Sequence, residues 1–468
     1  MGASERFWPN SHVAHNISAS AIGTGFETTY TGCIRSQDYS TARFALLGGL
    51  AIAVVFHALN YRAYDGFFQD DSISTLAWAP LIGFREYAIA FLKPTFDTAN
   101  FRPTGHLYYT LMSRAFGIDF PPYMTPLFAI HLLNGLLVYL LARKLAIGTW
   151  HALAGMAFFT ISASAFDAYW KPMYVFDLLC ATFSLASILL FAYRRWVLSF
   201  IAFWLAYKAK ELAVMLPAAL FVYEYWFGRR RFLILIPFFA ASLSFGVQGI
   251  LLNPNKDNEY TFRFTLAALV KTVPFYARRF LFFPYSGLTL AALAFVRDRR
   301  VWFGLAACML FLFTLLFLPG RLFEAYTYLP LSCAAIAMAA AASHVKPAWV
   351  LAAFVLWMPW NIRDLRRETR AKLALDDEAA EYFNQLQVWA AKHPGVKTLI
   401  YASQPGGYHH WGVEGAWCIV HNMLNLPVYY STSPEAAKAM SEQPVAVSTW
   451  EWNGRTGALD VQIHLPSH

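Results

Sequence analysis

The chain is 468 residues long, 58% hydrophobic, 18% aromatic and only 14% charged, with a mean hydropathy of +0.40. This composition excludes disordered, fibrous and ordinary soluble proteins, since a soluble chain of this length needs far more charge to wet its surface. Five cysteines without short pair spacing argue against a zinc site, a CxxC redox motif and a disulfide framework. The long apolar runs between Phe44 and Trp360 make it a polytopic membrane protein.

In chain order, residues 1–42 are polar and read as a flexible N-terminal tail, and Phe44–Leu59 predicts the first spanning helix of a membrane domain over 43–361. The loop 60–122 follows. It is several times longer than the roughly 12–15 residues beyond which a loop usually has work to do. It carries Phe67-Phe68-Gln69-Asp70-Asp71-Ser72-Ile73, then Arg102-Pro103, then an amphipathic stretch Thr104–Phe116 suited to the membrane interface. The adjacent carboxylates Asp70 and Asp71 admit two readings. One is a general base with a neighbour that orients it, tuned by nearby apolar surface. The other is a helix cap beside a solvated acid. Arg102 likewise either offers a planar fork to a phosphate or reaches lipid headgroups from a helix that starts at Pro103.

Further apolar runs lie near 123–142, 151–166, 173–193, 196–227, 232–251, 281–296, 301–318, 328–343 and 347–361. Lys208-Ala209-Lys210-Glu211 interrupts 196–227, which predicts two short helices meeting at a charged break and a total of about eleven spans. Arg143-Lys144, Arg194-Arg195, Arg229-Arg230-Arg231 and Arg297–Arg300 fall at alternate gaps, so the positive-inside rule places them in the cytoplasm. The loop 60–122, the Asp167–Lys171 break, the Lys208–Glu211 break and the turn with Arg321, Glu324, Tyr326 and Tyr328 then share the outer face. Ionisable groups at membrane depth are functional candidates because lipid penalises them; a polar turn at Asp167 and Lys171 and a structural Lys–Glu pair at Lys210 and Glu211 are the alternatives. The +9 charge reflects this topology and anionic lipid phosphate, not nucleic acid.

Residues 362–468 read as a small soluble α/β domain. Its basic start, Arg363 to Lys372, falls outside by the same count, against the positive-inside rule. Leu375–Trp389 has helical spacing, Thr398–Ala402, Val445–Trp450 and Leu459–Ile463 read as strands, and Asn453-Gly454 marks a hairpin. His409-His410 is too isolated to make a metal site and reads as part of an aromatic loop. No phosphate-cradling glycine motif supports nucleotide binding.

Four segments, in order and on one face, resemble the GT-C superfamily of membrane glycosyltransferases, especially its protein O-mannosyltransferase-like branch. Phe68-Gln69-Asp70-Asp71-Ser72-Ile73 is similar to that branch's first-loop Asp-Asp motif, and Arg102-Pro103 to its following Arg-Pro. Lys208–Pro217 is similar to its Lys-Glu…Leu-Pro element, and Glu324…Tyr328-Leu329-Pro330 to a later Glu…Tyr-Leu-Pro element. The second outer loop keeps an acid, Asp167, without the branch's His-Pro, and the C-terminal region lacks TPR repeats.

The resemblance implies an all-α, GT-C-like membrane fold of about eleven helices carrying the α/β appendage. It also implies an inverting hexosyltransferase that moves a sugar from a polyprenyl-phosphate donor to a hydroxyl of a protein, glycan or lipid. The enzyme would be a multi-pass protein of a plasma or bacterial inner membrane, working at the extracytoplasmic face. Asp70 or Asp71 would be the base. Arg102, Lys171, Lys210 and Arg321 would hold the donor phosphate, with Asp167, Glu211, Glu324 and Tyr328 in support. A divalent metal between Asp71 and Asp167 is a further option. The competing expectations are a transporter or flippase of lipid-linked sugars, which should carry paired, Gly/Pro-interrupted helices near the midplane, and a polysaccharide polymerase or ligase.

Overall fold

A computed structural model of the chain describes residues 26–94, 101–252, 259, 261–281 and 286–466. Residues 1–25 of the expected tail lie outside the described residues, and helix begins at Phe26, within the remainder of that tail. The chain divides into a unit ending at Leu47, of which the described part is the start of the first helix, and a unit Gly48–His468 that holds everything considered below.

The helices in order are α1 (Phe26–Asn60), α2 (Asp70–Trp78), α3 (Phe84–Leu92), α4 (Pro103–Phe116), α5 (Pro121–Lys144), α6 (Thr149–Ile161), α7 (Phe166–Trp170), α8 (Val175–Ala192), α9 (Trp196–Ala209), α10 (Leu216–Phe227), α11 (Ile236–Leu252), α12 (Leu266–Leu281), α13 (Arg299–Leu316), α14 (Tyr328–Ala342) and α15 (Pro347–Lys392). Strand β1 (Thr398–Tyr401), α16 (His410–His421), β2 (Val428–Tyr430), α17 (Pro434–Glu442), β3 (Val445–Trp452) and β4 (Gly457–His464) complete the chain.

Five helical segments are long and apolar enough to cross a membrane: Ser40–Asp65, Pro121–Lys144, Pro172–Ala192, Arg299–Leu316 and Glu324–Ala342. A sixth span combines α6 with Ala163–Trp170, bent by 52° at the break. Trp196–Ala209 and Phe232–Gln248 are apolar but shorter. The protein is therefore an integral membrane protein, and a total near eleven requires the shorter elements as well. The expected helix at 281–296 is, over its described part, a 3-10 segment, Ser286–Phe295. The charged break inside 196–227 separates α9 from α10 as expected, with a 3-10 turn, Glu211–Met215, between them.

Water-excluded helices associate through close packing of small residues and through internal hydrogen bonds, and both devices recur here. A Cβ on Gly155 would stand 3.0 Å from the Ala335 carbonyl, and one on Gly304 would stand 2.6 Å from the Ala337 amide nitrogen, so both glycines let α6 and α13 lie directly on α14. In the core between α5, α6, α8 and α14, His131 bonds the Tyr328 hydroxyl (2.7 Å) and the Thr160 carbonyl (3.0 Å), while Asn134 donates to Leu178 O and the Tyr328 hydroxyl. Such bonds contribute on the order of 1 kcal/mol each. At the bend between α6 and α7, Asn361 of α15 accepts from the Ala163 amide (2.8 Å) and donates to Ile161 O (2.9 Å), supplying the partners that the broken ladder lacks.

The basic connections meet at one end of this helical assembly. Lys144 lies over the Tyr193 ring, Arg299 donates to Trp226 O, Arg300 donates to Ala146 O, and His344 joins Asp298. Loop 60–122, the α6–α7 bend, the α9–α10 break and the turn before Tyr328 meet at the other end, called here the loop end.

Helix α15 runs unbroken through residue 362 to Lys392 and carries the chain into a sheet of order β2-β1-β3-β4. β1 is parallel to both β2 and β3, while β3 and β4 form an antiparallel hairpin around Gly454 at φ 89°. β2 is an addition to the strands expected from the sequence; at three residues it is too short to show an alternating pattern. The appendage lies against the loop end through α16, which packs along α2. Glycines make that approach flush: a Cβ on Gly415 would stand 2.6 Å from Ser74 Cα, and one on Gly412 would stand 2.9 Å from Asp70 Oδ1.

Candidate active site

The first two acidic residues have different surroundings. Asp70 opens α2 at φ 28°, a left-handed backbone that aspartate tolerates better than most residues. It is buried, and both of its oxygens are engaged: Oδ1 accepts from the His409 amide (2.8 Å) and Oδ2 from His409 Nδ1 (2.6 Å). Asp71 is exposed to solvent. Surrounding protein nevertheless holds its carboxyl above the ordinary carboxylate range, with burial the main cause and the charge of Asp70 the next; the Trp411 side chain and the charges of Arg321 and His409 act in the opposite direction.

Arg102 caps α4, with Pro103 in the first helical turn, where its missing N–H costs nothing. The Arg102 amide donates to His106 Nδ1 (2.9 Å), and the His106 ring stacks on Phe101. Burial and the Arg102 charge depress the His106 value to about 3, so this imidazole is a neutral acceptor at working pH. A Cβ on Gly105 would run into the Phe176 ring at 2.1 Å, so glycine there lets α4 close on α8. The Arg102 guanidinium lies 5.8 Å from the Phe176 centroid, and its Nε donates to Glu211 at 2.8 Å.

Lys210, at the end of α9, donates to both oxygens of Asp177 at 2.6 Å and sits 4.1 Å from the Tyr326 centroid. Asp177 and Tyr326 are also within electrostatic reach of Arg102. Tyr174 in turn senses Asp167, Asp177, Tyr326 and Asp71. Arg321 donates to Glu259 (2.8 Å), lies 4.5 Å from the Phe323 centroid, and reaches Asp71 electrostatically. Arg102, Lys210, Glu211 and Arg321 thus come together at the loop end from three separate segments, with Asp71 of a fourth within electrostatic reach of Arg321.

The remaining expected residues are placed differently. Lys171 and Asp167 face α15, where Lys372 lies 3.2 Å from Asp167. Burial lowers Lys171 to about 8 and raises Asp376 to about 7, and Gln69 donates to Asp376. This is an ionic seam of two acids and two lysines between loop end and appendage. Glu324 pairs with Arg279. Tyr328 lies inside the bundle with His131 and Asn134 and is not in the Asp71 group.

Asp177, Lys372, Asp376 and His409 were not selected from the sequence. Asp177 had a signal, an acid inside the apolar run 173–193. His409 had none, because its partner is 339 residues away. Among the described residues no three His, Cys, Asp or Glu side chains converge as a metal site requires. Asp167 is turned toward Lys372. The residues do not fit a metal held between Asp71 and Asp167.

The assembly of apolar helices with a small α/β appendage at its loop end has a counterpart among solved structures. The chain aligns with the crystal structure of ArnT from Cupriavidus metallidurans in the apo state at a TM-score of 0.50 and 12% sequence identity, covering 85% of this chain and 92% of that one. No protein-family profile and no curated protein matches the chain.

Proposed function

We propose that the protein is an inverting, hexosyl-type glycosyltransferase that takes its sugar from a polyprenyl-phosphate donor and works at the extracytoplasmic face. The ArnT-like fold supports a lipid-linked donor and a membrane setting, and the resemblance to the O-mannosyltransferase-like branch supports the hexosyl donor. The observation that carries the reading is the contrast within Asp70-Asp71: Asp70 is engaged by His409, while Asp71 opens to solvent within electrostatic reach of Arg321.

Asp71 takes the proton of an acceptor hydroxyl on a protein, glycan or lipid. The oxygen attacks the anomeric carbon from the side opposite the phosphate, and the sugar–phosphate bond breaks with inversion. A carboxyl held above its ordinary range is a stronger base when ionised, and such assistance typically contributes about 10²–10⁴-fold. The polyprenyl phosphate leaves as an anion and needs fixed positive charge. Arg102, Lys210 and Arg321 supply it, each restrained by a carboxylate that sets its position. Lys171 serves the seam with α15.

The test is transfer of radiolabelled sugar from polyprenyl-phosphate donors by the full chain in proteoliposomes. Asp71→Asn should abolish transfer without changing the melting temperature. Unchanged turnover would overturn the base assignment, and movement of the donor across the bilayer without transfer would identify a flippase.

A further inference from the structure

We propose that the crevice between the α8–α9 and α10–α11 turns, at the basic end, binds the phosphate headgroup of an anionic phospholipid. The inference is independent of the reaction at the loop end. Phe191, Arg194, Trp196, Tyr223, Glu224 and Arg231 line the crevice. Among the described residues, the side chains of Arg194, Arg195, Arg229 and Arg231 make no hydrogen bond or ion pair, and that of Arg230 only lies over the Tyr225 ring at 5.5 Å. The cations of the loop end differ, since Arg102, Lys210, Arg279, Arg321 and Lys372 each face a carboxylate. Five guanidinium groups gathered without a paired acid repel one another, and a bound anion relieves that repulsion.

Backbone bonding fixes where these arginines stand. The Arg194 amide donates to Phe191 O (2.8 Å) and the Arg195 amide to Leu190 O (2.9 Å), which closes α8 in a Schellman turn with Arg194 at the left-handed position, φ 61°, that usually takes glycine. Across the crevice, Glu224 Oε1 accepts from the amides of Arg229 (2.9 Å) and Arg231 (2.8 Å), and Arg230 is again left-handed at φ 57°. The one carboxylate lining the crevice therefore holds the backbone of the α10–α11 turn and neutralises no guanidinium directly. Lys144 adds a further positive charge beside the first turn, over the Tyr193 ring.

The surface that continues from the crevice identifies the anion. The chain turns apolar directly beyond both sets of arginines, and its side chains there face outward: Val197 is 75% exposed and Leu233 80%, with Leu198, Ile201 and Ile236 exposed beside them. In a chain that spans the membrane, such surfaces meet acyl chains, while arginines at the helix ends lie at headgroup depth. A ligand that joins a phosphate in the crevice to hydrocarbon along α9 and the start of α11 is a phospholipid. A free phosphate has nothing to lay against that apolar surface. Basic pockets between spanning helices suit anionic headgroups, and the planar guanidinium fork matches phosphate oxygens. Held by Arg194 and Arg231 together, the phosphate ties the α8–α9 hairpin to the α10–α11 hairpin.

The test is titration of the full chain in detergent with dioleoylphosphatidylglycerol or dioleoylphosphatidylcholine, read by native mass spectrometry and by melting temperature. Phosphatidylglycerol should bind at least about tenfold more tightly, the scale expected when two basic residues meet a charged headgroup, and should raise the melting temperature. Arg194→Gln with Arg231→Gln should erase both effects, and Arg231→Gln alone should weaken them. Arg194→Lys with Arg231→Lys keeps the charge and should keep most of the preference. Arg297→Gln with Lys346→Gln removes the same charge from the basic end outside the crevice and should leave both effects intact. An unchanged preference in the Arg194 and Arg231 glutamine variants, or an equal loss in the Arg297 and Lys346 variant, would overturn the site. Inorganic phosphate that displaces the bound phosphatidylglycerol at millimolar concentration would overturn the lipid in favour of a soluble phosphate. None of these readouts depends on sugar transfer, so they stand or fall apart from the assignment of the base.

Discussion

Lys210 donates to both oxygens of Asp177 at 2.6 Å, joining the break after α9 to the first turn of α8 across 33 positions of sequence. Their side chains are 13% and 3% exposed, so neither charge has bulk water to fall back on. Removing one partner of a buried ion pair typically costs about 3–5 kcal/mol, because the other charge is left uncompensated. Asp177→Leu should therefore lower the melting temperature in detergent sharply. Asp177→Leu with Lys210→Met should recover much of that loss while remaining inactive in sugar transfer. Equal melting temperatures for the single and double variants would show that the pair is not a unit.

Arg102 makes two contacts that need a planar guanidinium, Nε to Glu211 and a face toward Phe176. Lysine keeps the charge but not the fork. Arg102→Lys should reduce transfer by about 10²-fold, the scale seen when one preorganised donor to a developing anion is removed. The melting temperature should change little. Full activity in Arg102→Lys would reduce Arg102 to a point charge.

Asp376 gives a pH signature. Burial raises its carboxyl from 3.8 to about 7. An acid raised in the folded state binds its proton more tightly there than in the unfolded chain, so its contribution is complete below about pH 4 and is lost as pH climbs through 7. The difference of about three units corresponds to on the order of 4 kcal/mol once the group is ionised. Asp376→Asn removes the ionisable group. Melting temperatures measured from pH 5 to 8 should fall with pH in the parent and run flatter in the variant, which should be the more stable at pH 8. Parallel curves would mean that the seam with Lys171 and Lys372 compensates fully.

Gly415 is the closest approach of α16 to α2. A leucine there has no room, because the obstacle is the backbone of Ser74 and Ile73, not a movable side chain. Overpacking of this kind costs about 1–3 kcal/mol or more. Gly415→Leu should loosen the appendage, exposing the loop after β1 to limited proteolysis, and should reduce transfer together with docking. Protease resistance equal to the parent would show that the contact is not required for docking.

Asp70 and Asp71 should separate by substitution. Asp70→Asn tolerates the left-handed backbone but weakens the grip on His409. It should lower transfer partially and, because the Asp70 charge holds the Asp71 carboxyl up, lower the acid limb of the pH profile. Asp71→Asn should abolish transfer. Matching losses in the two variants would argue that both carboxylates touch the substrate.

Much of the fold was legible in the chain because its signals are local. A run such as 173–193 announces a spanning helix by its own apolarity, and Lys208–Glu211 announces a break because charge is costly at that depth. The strands β3 and β4 showed their alternation and turn, and β1 its short apolar run. The 3-10 form of Ser286–Phe295 was not visible, since apolarity alone does not distinguish helix types.

For the site, the sequence by itself determined the short supply of candidates: a chain that is 14% charged exposes each ionisable group that interrupts its apolar runs. It therefore marked Asp70, Asp71, Arg102, Lys210, Glu211 and Arg321. Only the tertiary structure decided how they pair: Asp70 with His409, Lys210 with Asp177, Arg102 with Glu211, and Tyr328 with the bundle core. Hydropathy and spacing act over a turn or two of chain. Which of two adjacent carboxylates is occupied depends on a residue 339 positions away, brought there by glycines on α16 and by the left-handed backbone of Asp70 at the start of α2.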